Sequence, residues 1–186
     1  MASSDDGQRI LALLQDDECT VLRRWVDAAA QPLQGLLTPT ELERDLAPLL
    51  AELTGALGSN DADVRTDRYA GARALLSELS RDRARHGFTP TQTVSSVFAL
   101  KEVLLGRADE RGEPFQTIIG VSRWVDALGI FAFEAFARAR EQVITEQAEQ
   151  LLELTTPVVK LWDGVLAVPL IGTLDSARTQ VVMEKL

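Results

Sequence analysis

The fold is decided by the stretch Val158-Val159-Lys160-Leu161-Trp162-Asp163-Gly164-Val165-Leu166-Ala167-Val168-Pro169-Leu170-Ile171. Its two apolar runs, on either side of Asp163-Gly164, are rich in β-branched residues. An Asp-Gly pair between such runs is typical of a β-hairpin, because glycine supplies the positive φ that a tight turn needs. The sequence therefore predicts a hairpin here, whereas every periodic segment before about Thr155 has the spacing of a helix.

The residues after the hairpin predict the opening of a second domain near residue 157. A polar, turn-like segment at residues 172–178 leads into a helical pattern at residues 179–186. An isolated hairpin is marginal in water, and a strand that feeds a helix normally returns to a parallel neighbour. We therefore expect the chain to be the front portion of a longer protein. A self-contained helical protein with an added hairpin remains the alternative.

The first 155 residues predict a helical domain. Thr38-Pro39-Thr40-Glu41 and Thr89-Pro90-Thr91-Gln92 are helix start signals, with proline at the first helical position and an acidic or amide residue soon after. His86-Gly87 has glycine at the expected stop position. The pattern predicts a helix from about Asp63 to Arg85, preceded by one that starts at Thr38 and followed by one that starts at Thr89.

From Phe115 onward no proline interrupts the pattern until Pro157, which predicts one helix of about 40 residues, on the order of 60 Å long. Residues 138–154 are polar apart from a narrow apolar seam that includes Ile144. A helix with so narrow a seam is most easily stabilised by pairing with a second copy, which predicts a homodimer. The first half is strongly apolar and is expected to be core: Ile118, Ile119, Val121, Trp124, Val125, Leu128, Ile130, Phe131, Phe133 and Phe136.

Composition excludes several classes of partner. The 186 residues are 46% hydrophobic and 25% charged, and the net charge is -9. An acidic chain is poorly suited to nucleic acid or to anionic lipid. We find neither a signal peptide nor an apolar run long enough to span a bilayer. The single cysteine, Cys19, cannot form an internal disulfide, so a cytoplasmic location is expected.

Histidine and cysteine are too few for the common metal sites. His86 is the only histidine and would have to be the proximal ligand of a haem sensor. Its place beside Gly87 favours a different role, as a cation that complements a helix carboxyl end. One histidine and one cysteine do not suffice for zinc or a di-iron site. We expect Cys19 to be a buried or half-buried packing residue, and we predict no catalytic residue, metal or cofactor.

A ligand-binding sensor remains open as an alternative function. Phe131, Phe133 and Phe136 could line an apolar pocket, although their helical spacing is more typical of packing. In this reading the helical domain would hold haem or a small apolar molecule between its helices.

Residues 156–186 closely resemble the entry into the STAS domain of RsbR-type stressosome proteins. The resemblance rests on a Thr156-Pro157 junction, a strand with Pro169-Leu170-Ile171-Gly172, and Thr173-Leu174-Asp175-Ser176 with Arg178 soon after. The helical part is similar in architecture to the non-haem, globin-like sensor domain of that family. The resemblance implies a mainly α fold with a globin-like helical sensor domain at residues 1–137. A linker helix at 138–155 and the amino-terminal fragment of an α/β STAS domain at 156–186 would follow.

The resemblance also implies a role. RsbR-type proteins are non-catalytic and assemble with a smaller STAS scaffold protein into a large cytoplasmic complex. That complex sequesters a serine/threonine switch kinase until stress, when phosphorylation of the STAS domains releases the kinase towards a pathway that controls an alternative sigma factor. The phosphoacceptor of the family motif maps onto Ser176, and Thr173 fits less well. A second acceptor would lie beyond Leu186.

The chemistry of Ser176 is compatible with that role. If Asp175 caps the following helix, Ser176 lies in its first turn, where unpaired N–H groups and the helix dipole favour negative charge. A phosphate there would add about -1.5 to -2 charge to an already acidic surface. Taken without the resemblance, Ser176 is more simply a helix-start residue.

Overall fold

The computed structural model describes residues 4–15, 17–33, 35–58, 62–154, 159–162 and 165–167. It divides into two units, Met1–Arg140 and Glu141–Leu186. Short 3-10 turns lie at Gln31–Leu33 and Asp67–Tyr69. The described helices and strands are α1 Ser4–Gln15, α2 Glu18–Ala30, α3 Pro39–Leu57, α4 Ala70–Arg85, α5 Pro90–Glu110, α6 Phe115–Leu154, β1 Val159–Trp162 and β2 Val165–Ala167.

The core of the first unit forms where α2 packs against α3 and α5. Trp25 on α2 and Trp124 on α6 are its largest buried side chains, and the indole Nε1–H of Trp124 donates to Tyr69 Oη at 3.1 Å. Buried leucines and an isoleucine fill the space around them: Ile10, Leu13, Leu14, Leu33, Leu42, Leu46, Leu49 and Leu50. The predicted mainly α fold class, with a long helix after the shorter helices of the helical domain, is confirmed.

In the second unit, β1 pairs antiparallel with β2, with Val159 opposite Ala167 and an irregular register between Lys160 and Trp162. Two strands were expected at these positions, because apolar runs flank Asp163-Gly164. The helix predicted after Gly172 lies outside the described residues.

Both predicted helix start signals form complete capping boxes. Thr38 Oγ1 accepts from the Glu41 backbone N–H at 3.3 Å, and Glu41 Oε2 accepts from the Thr38 N–H at 2.8 Å. In the second box, Thr89 Oγ1 accepts from the Gln92 N–H at 3.1 Å, and Gln92 Oε1 accepts from the Thr89 N–H at 2.8 Å. The boxes satisfy amide groups that the first helical turn leaves unpaired, so local sequence alone fixes where α3 and α5 begin.

Replacing Thr38 with alanine should lower the free energy of unfolding by about 1 kcal/mol, because an amide at the start of α3 loses its acceptor. Thr38 also holds the pKa of Glu41 below its ordinary 4.5 by hydrogen bonding. A lowered carboxyl pKa stabilises the fold above pH 4.5, and this contribution is lost as the pH falls through the lowered value. In urea titrations, the difference in unfolding free energy between the wild type and Thr38→Ala should therefore become smaller at acidic pH. Thr40→Ala, in the same turn but without the cap bond, is the control; an equal loss there would contradict the cap's role.

The helix predicted to begin near Asp63 begins instead at Ala70. Asp63 Oδ1 accepts from the Arg65 N–H at 3.1 Å, which closes a local turn. Arg73 Nη1 then donates to the carbonyls of Val64 at 2.7 Å and Thr66 at 2.6 Å. Aspartate side chains compete with helical hydrogen bonds in this way, so α4 starts about two turns later than its apolar spacing suggests.

Helix α6 has 40 residues, as predicted, but two of its expected core residues lie at the surface. Ile130 is 59% exposed and Phe133 is 51% exposed. The helix buries the face that carries Val125, Leu128 and Ala132. Ile130 follows Leu128 by two residues, a rotation of about 200° at 3.6 residues per turn, and therefore faces away from that core.

Candidate functional site

The predicted phosphoacceptor Ser176 lies outside the described residues, as do Thr173 and Asp175. His86, Cys19 and the three phenylalanines Phe131, Phe133 and Phe136 belong to the helical unit.

His86 lies at the surface as the C-cap of α4, where its backbone N–H donates to the Asp82 carbonyl at 3.0 Å. Its Nδ1 lies 2.8 Å from the same carbonyl oxygen and 3.3 Å from Asp82 Oδ1. The imidazole thus turns back onto the last turn of its own helix, the position predicted for a residue that complements a carboxyl end.

Cys19 is exposed, which corrects the expectation of a buried or half-buried packing residue. It lies in the first turn of α2, whose inward face carries Val21 and Trp25. Two residues separate Cys19 from Val21, and this places the thiol about 200° around the helix from the core side.

Phe131, Phe133 and Phe136 do not line a common pocket. Phe136 is buried against Ala84 and Ala139 in a small cluster of its own, and Phe131 is partly buried against the main core. Phe133 faces outward. Spacings of two and three residues spread the rings around α6, because successive residues are separated by about 100°.

Phe133 instead borders an open groove between α5 and α6, of about 420 Å³, which we call the α5–α6 groove. Phe98 lines this groove, and its ring lies so close to Gly129 that a Cβ added there would be 2.2 Å from Phe98 Cε1. Lys101 Nζ lies 5.3 Å from the centroid of the same ring and pairs with Asp126. The groove is lined by Pro90, Thr91, Val94, Ser95, Phe98, Gly129, Ile130 and Phe133.

A buried polar cluster joins α2, α4 and α5. Arg83 is only 2% exposed, and its Nη1 donates to Ser96 Oγ at 2.6 Å and to the Thr93 carbonyl at 3.4 Å. Its Nε and Nη2 atoms are buried without a hydrogen-bond partner. Burial lowers the pKa of Arg83, while Asp45 and Asp82 act in the opposite direction. The indole Nε1–H of Trp25 donates to the Ser96 carbonyl at 2.7 Å.

Neither the α5–α6 groove nor the buried cluster around Arg83 was predicted from the sequence. The arginine-rich end of α4 resembles a solvated helix end, and nothing in its composition distinguishes Arg83 from Arg81 or Arg85. Phe98 and Ile130 have the spacing of core residues. One signal was available for the groove: apolar residues occur on more of α6 than a single buried face requires.

Among the described side chains, no three His, Cys, Asp or Glu residues lie close enough together to hold a metal ion. Within the same part of the chain, no helix combines the length and the apolar character of a membrane span.

Comparison with known proteins relates the helical part of the chain to a protein family. The family model of the RsbT co-antagonist protein RsbRD N-terminal domain matches residues 20–151. The RsbT co-antagonist protein RsbRD of Bacillus subtilis (strain 168) is 25% identical over 117 residues, which cover 58% of this chain and 42% of that protein. RsbT co-antagonist protein RsbRA of the same organism is 26% identical over 119 residues, or 62% of this chain and 43% of that protein.

The chain therefore spans less than half the length of the curated relatives it matches. No solved structure matches it. The family model covers well over half of the chain, from the first turn of α2 into the last turns of α6. The chain thus belongs to the family of the RsbT co-antagonist protein RsbRD N-terminal domain, in agreement with the resemblance to RsbR-type proteins.

Proposed function

We propose that this protein is a non-catalytic stressosome component that regulates a serine/threonine switch kinase and, through it, an alternative sigma factor. The observation that carries the proposal is the family match over residues 20–151, joined in the same chain to the STAS-like motif at residues 173–176. The curated relatives are named as co-antagonists of RsbT, and the kinase partner is proposed here by analogy with those names.

The proposed arrangement has three parts. Residues 1–137 form the sensor domain, residues 138–155 form a linker helix, and residues 156–186 open a STAS domain. A homodimer would form along the linker helix, since the exposed Ile144 belongs to a narrow apolar seam on an otherwise polar segment. A smaller STAS scaffold protein would complete a cytoplasmic complex that holds the kinase.

Phosphorylation of Ser176 is the proposed switch. A phosphate adds about -1.5 to -2 charge and three acceptor oxygens. On a chain whose net charge is already -9, added negative charge would weaken contact with an acidic partner surface rather than disturb the helical core. The kinase would then leave its complex because an interface has changed.

Incubating the full-length protein with its cognate kinase and ATP should place a phosphate on Ser176, and Ser176→Ala should abolish that modification because the acceptor hydroxyl is gone. Mass spectrometry of the resulting peptides gives the position. Thr173→Ala is the matched control and should leave the Ser176 phosphate in place. Phosphate confined to Thr173 or to another residue would contradict the assignment.

A haem-binding or apolar-ligand-binding sensor is the alternative function. The position of His86 does not favour haem ligation, because its ring lies at the surface and contacts the Asp82 carbonyl at the end of its own helix. The three phenylalanines considered for an apolar pocket face different directions. An absorption spectrum of the purified protein with a Soret band would favour the haem sensor.

A further inference from the structure

We propose that an open groove between α3 and α4 binds a free α-amino acid with an apolar side chain. This groove, which we call the α3–α4 groove, has a volume of about 470 Å³. Pockets that hold small ligands have volumes of roughly 300–1,000 Å³. The inference goes beyond the proposed function, because it gives the helical unit a small-molecule ligand, and it does not depend on the kinase partner.

The α3–α4 groove contains apolar surface that an aliphatic side chain would cover. Leu75 and Leu79 stand one turn apart on α4, and both are half-buried. Pro48 lines the groove from α3. Removing such apolar surface from water is favourable, and a side chain of matching character is the group that would do so.

Two guanidinium groups of the groove lack partners. Arg81 and Arg85 are four residues apart on α4, and they therefore share one face of the helix. Among the residues that the structure describes, neither side chain takes part in a hydrogen bond or an ion pair. Guanidinium groups match the geometry of a carboxylate, because their N–H donors align with its two oxygens. The two arginines would hold the carboxylate of the amino acid.

Acceptors for an ammonium group line the same groove. Glu78 is exposed there, and its side chain has no partner in the described part of the chain. Pro48 lies inside α3 and has no N–H to donate to the carbonyl of Arg44, four residues earlier, so this oxygen lacks its usual helical donor. An ammonium group would therefore donate to a carboxylate and to a main-chain carbonyl.

The balance of charge in the groove favours a zwitterion over a simple anion or cation. Three guanidinium groups face three carboxylates, those of Arg44, Arg81, Arg85, Asp45, Glu78 and Asp82. Asp45 is already paired with Arg44 at 3.4 Å, and Asp82 lies 3.3 Å from His86 Nδ1. Groups of both signs thus remain for a ligand. A zwitterion leaves the balance intact, whereas an anion alone would also meet a chain whose net charge is -9.

Titration of leucine into the isotope-labelled 186-residue chain, followed by NMR, tests the inference. The Nε–H resonances of Arg81 and Arg85 should shift and saturate. Arg85→Gln and Glu78→Gln should each weaken binding by about tenfold, because each removes a charge-assisted hydrogen bond. Arg123→Gln is the matched control: Arg123 is exposed on α6 and does not line the groove. It should leave the dissociation constant within about twofold, because a distant exposed charge is screened.

Three analogues separate the groups of leucine that the groove would recognise. Isocaproate lacks the ammonium group, isoamylamine lacks the carboxylate, and glycine lacks the apolar side chain. Each should bind at least about tenfold more weakly than leucine. Equal affinity for isocaproate and leucine would overturn the inference, because a simple anion would then suffice. Equal losses in Arg85→Gln and Arg123→Gln would also overturn it, as would the absence of a saturable shift at leucine concentrations up to about 10 mM.

Discussion

Replacing Trp25 with alanine should lower the free energy of unfolding by about 3–5 kcal/mol, the range for removing a large aromatic side chain from a core. Trp25 is fully buried on α2, the helix that packs against both α3 and α5. The substitution removes most of the side-chain volume and leaves the Ser96 carbonyl without its indole donor. Urea denaturation followed by far-UV circular dichroism measures the loss.

Two further variants separate the contribution of the indole hydrogen bond from that of core packing and provide a surface control. Trp25→Phe retains an aromatic ring but removes the bond to Ser96, so we expect a smaller loss of about 1–3 kcal/mol, on the scale of an unsatisfied buried group. Leu36→Ala, on an exposed side chain, should change the stability by about 0.5 kcal/mol or less. A loss for Trp25→Ala no greater than that for Leu36→Ala would contradict the placement of α2 at the centre of the core.

Replacing Ser96 with alanine should be the second large destabilisation, because it removes the acceptor closest to a buried cation. Arg83 would retain only the 3.4 Å bond to the Thr93 carbonyl. Leaving a buried donor unsatisfied costs about 1–3 kcal/mol, and more when the donor is charged. The same urea titration measures this loss. Ser95→Ala, at the neighbouring position of α5, is the matched control and should have a much smaller effect.

Replacing Arg83 as well should recover part of the stability that Ser96→Ala loses. Arg83→Met deletes the buried charge, and Ser96 Oγ still donates to the Thr93 carbonyl at 2.7 Å. Replacing buried ions with apolar residues of similar volume is often neutral or stabilising. We expect the double variant to be more stable than Ser96→Ala alone, because its orphaned charge is gone. If the stability change of the double variant instead equals the sum of the changes in the two single variants, Arg83 and Ser96 do not depend on each other.

Helix starts were predictable because their determinants are local. A threonine, a proline and an acidic or amide residue lie within four positions, and they form both capping boxes without help from distant parts of the chain. The start of α4 was predicted wrongly for a related reason. Asp63 forms a local turn that its apolar neighbours do not reveal, and the amide of Arg65 supplies the donor.

The buried face of α6 was only partly predictable. Its first half is apolar on most sides, so periodicity alone does not distinguish Leu128, which is buried, from Ile130, which is exposed. That choice depends on which helices pack against α6. The burial of Arg83 likewise depends on Ser96, thirteen residues away on another helix. The family was predictable from sequence, and its match is confirmed, whereas the assignment of Ser176 remains a prediction.

Intrinsic tryptophan fluorescence can report on the unfolding of the helical unit. Trp25 and Trp124 each sit in dry surroundings with the indole N–H engaged by oxygen, while Trp162 in the second unit is 74% exposed. Two of the chain's three indoles therefore emit from an environment that disappears on unfolding, and the third already emits from water. A red shift in fluorescence is consequently a signal of melting in the amino-terminal unit, readable in the unlabelled protein.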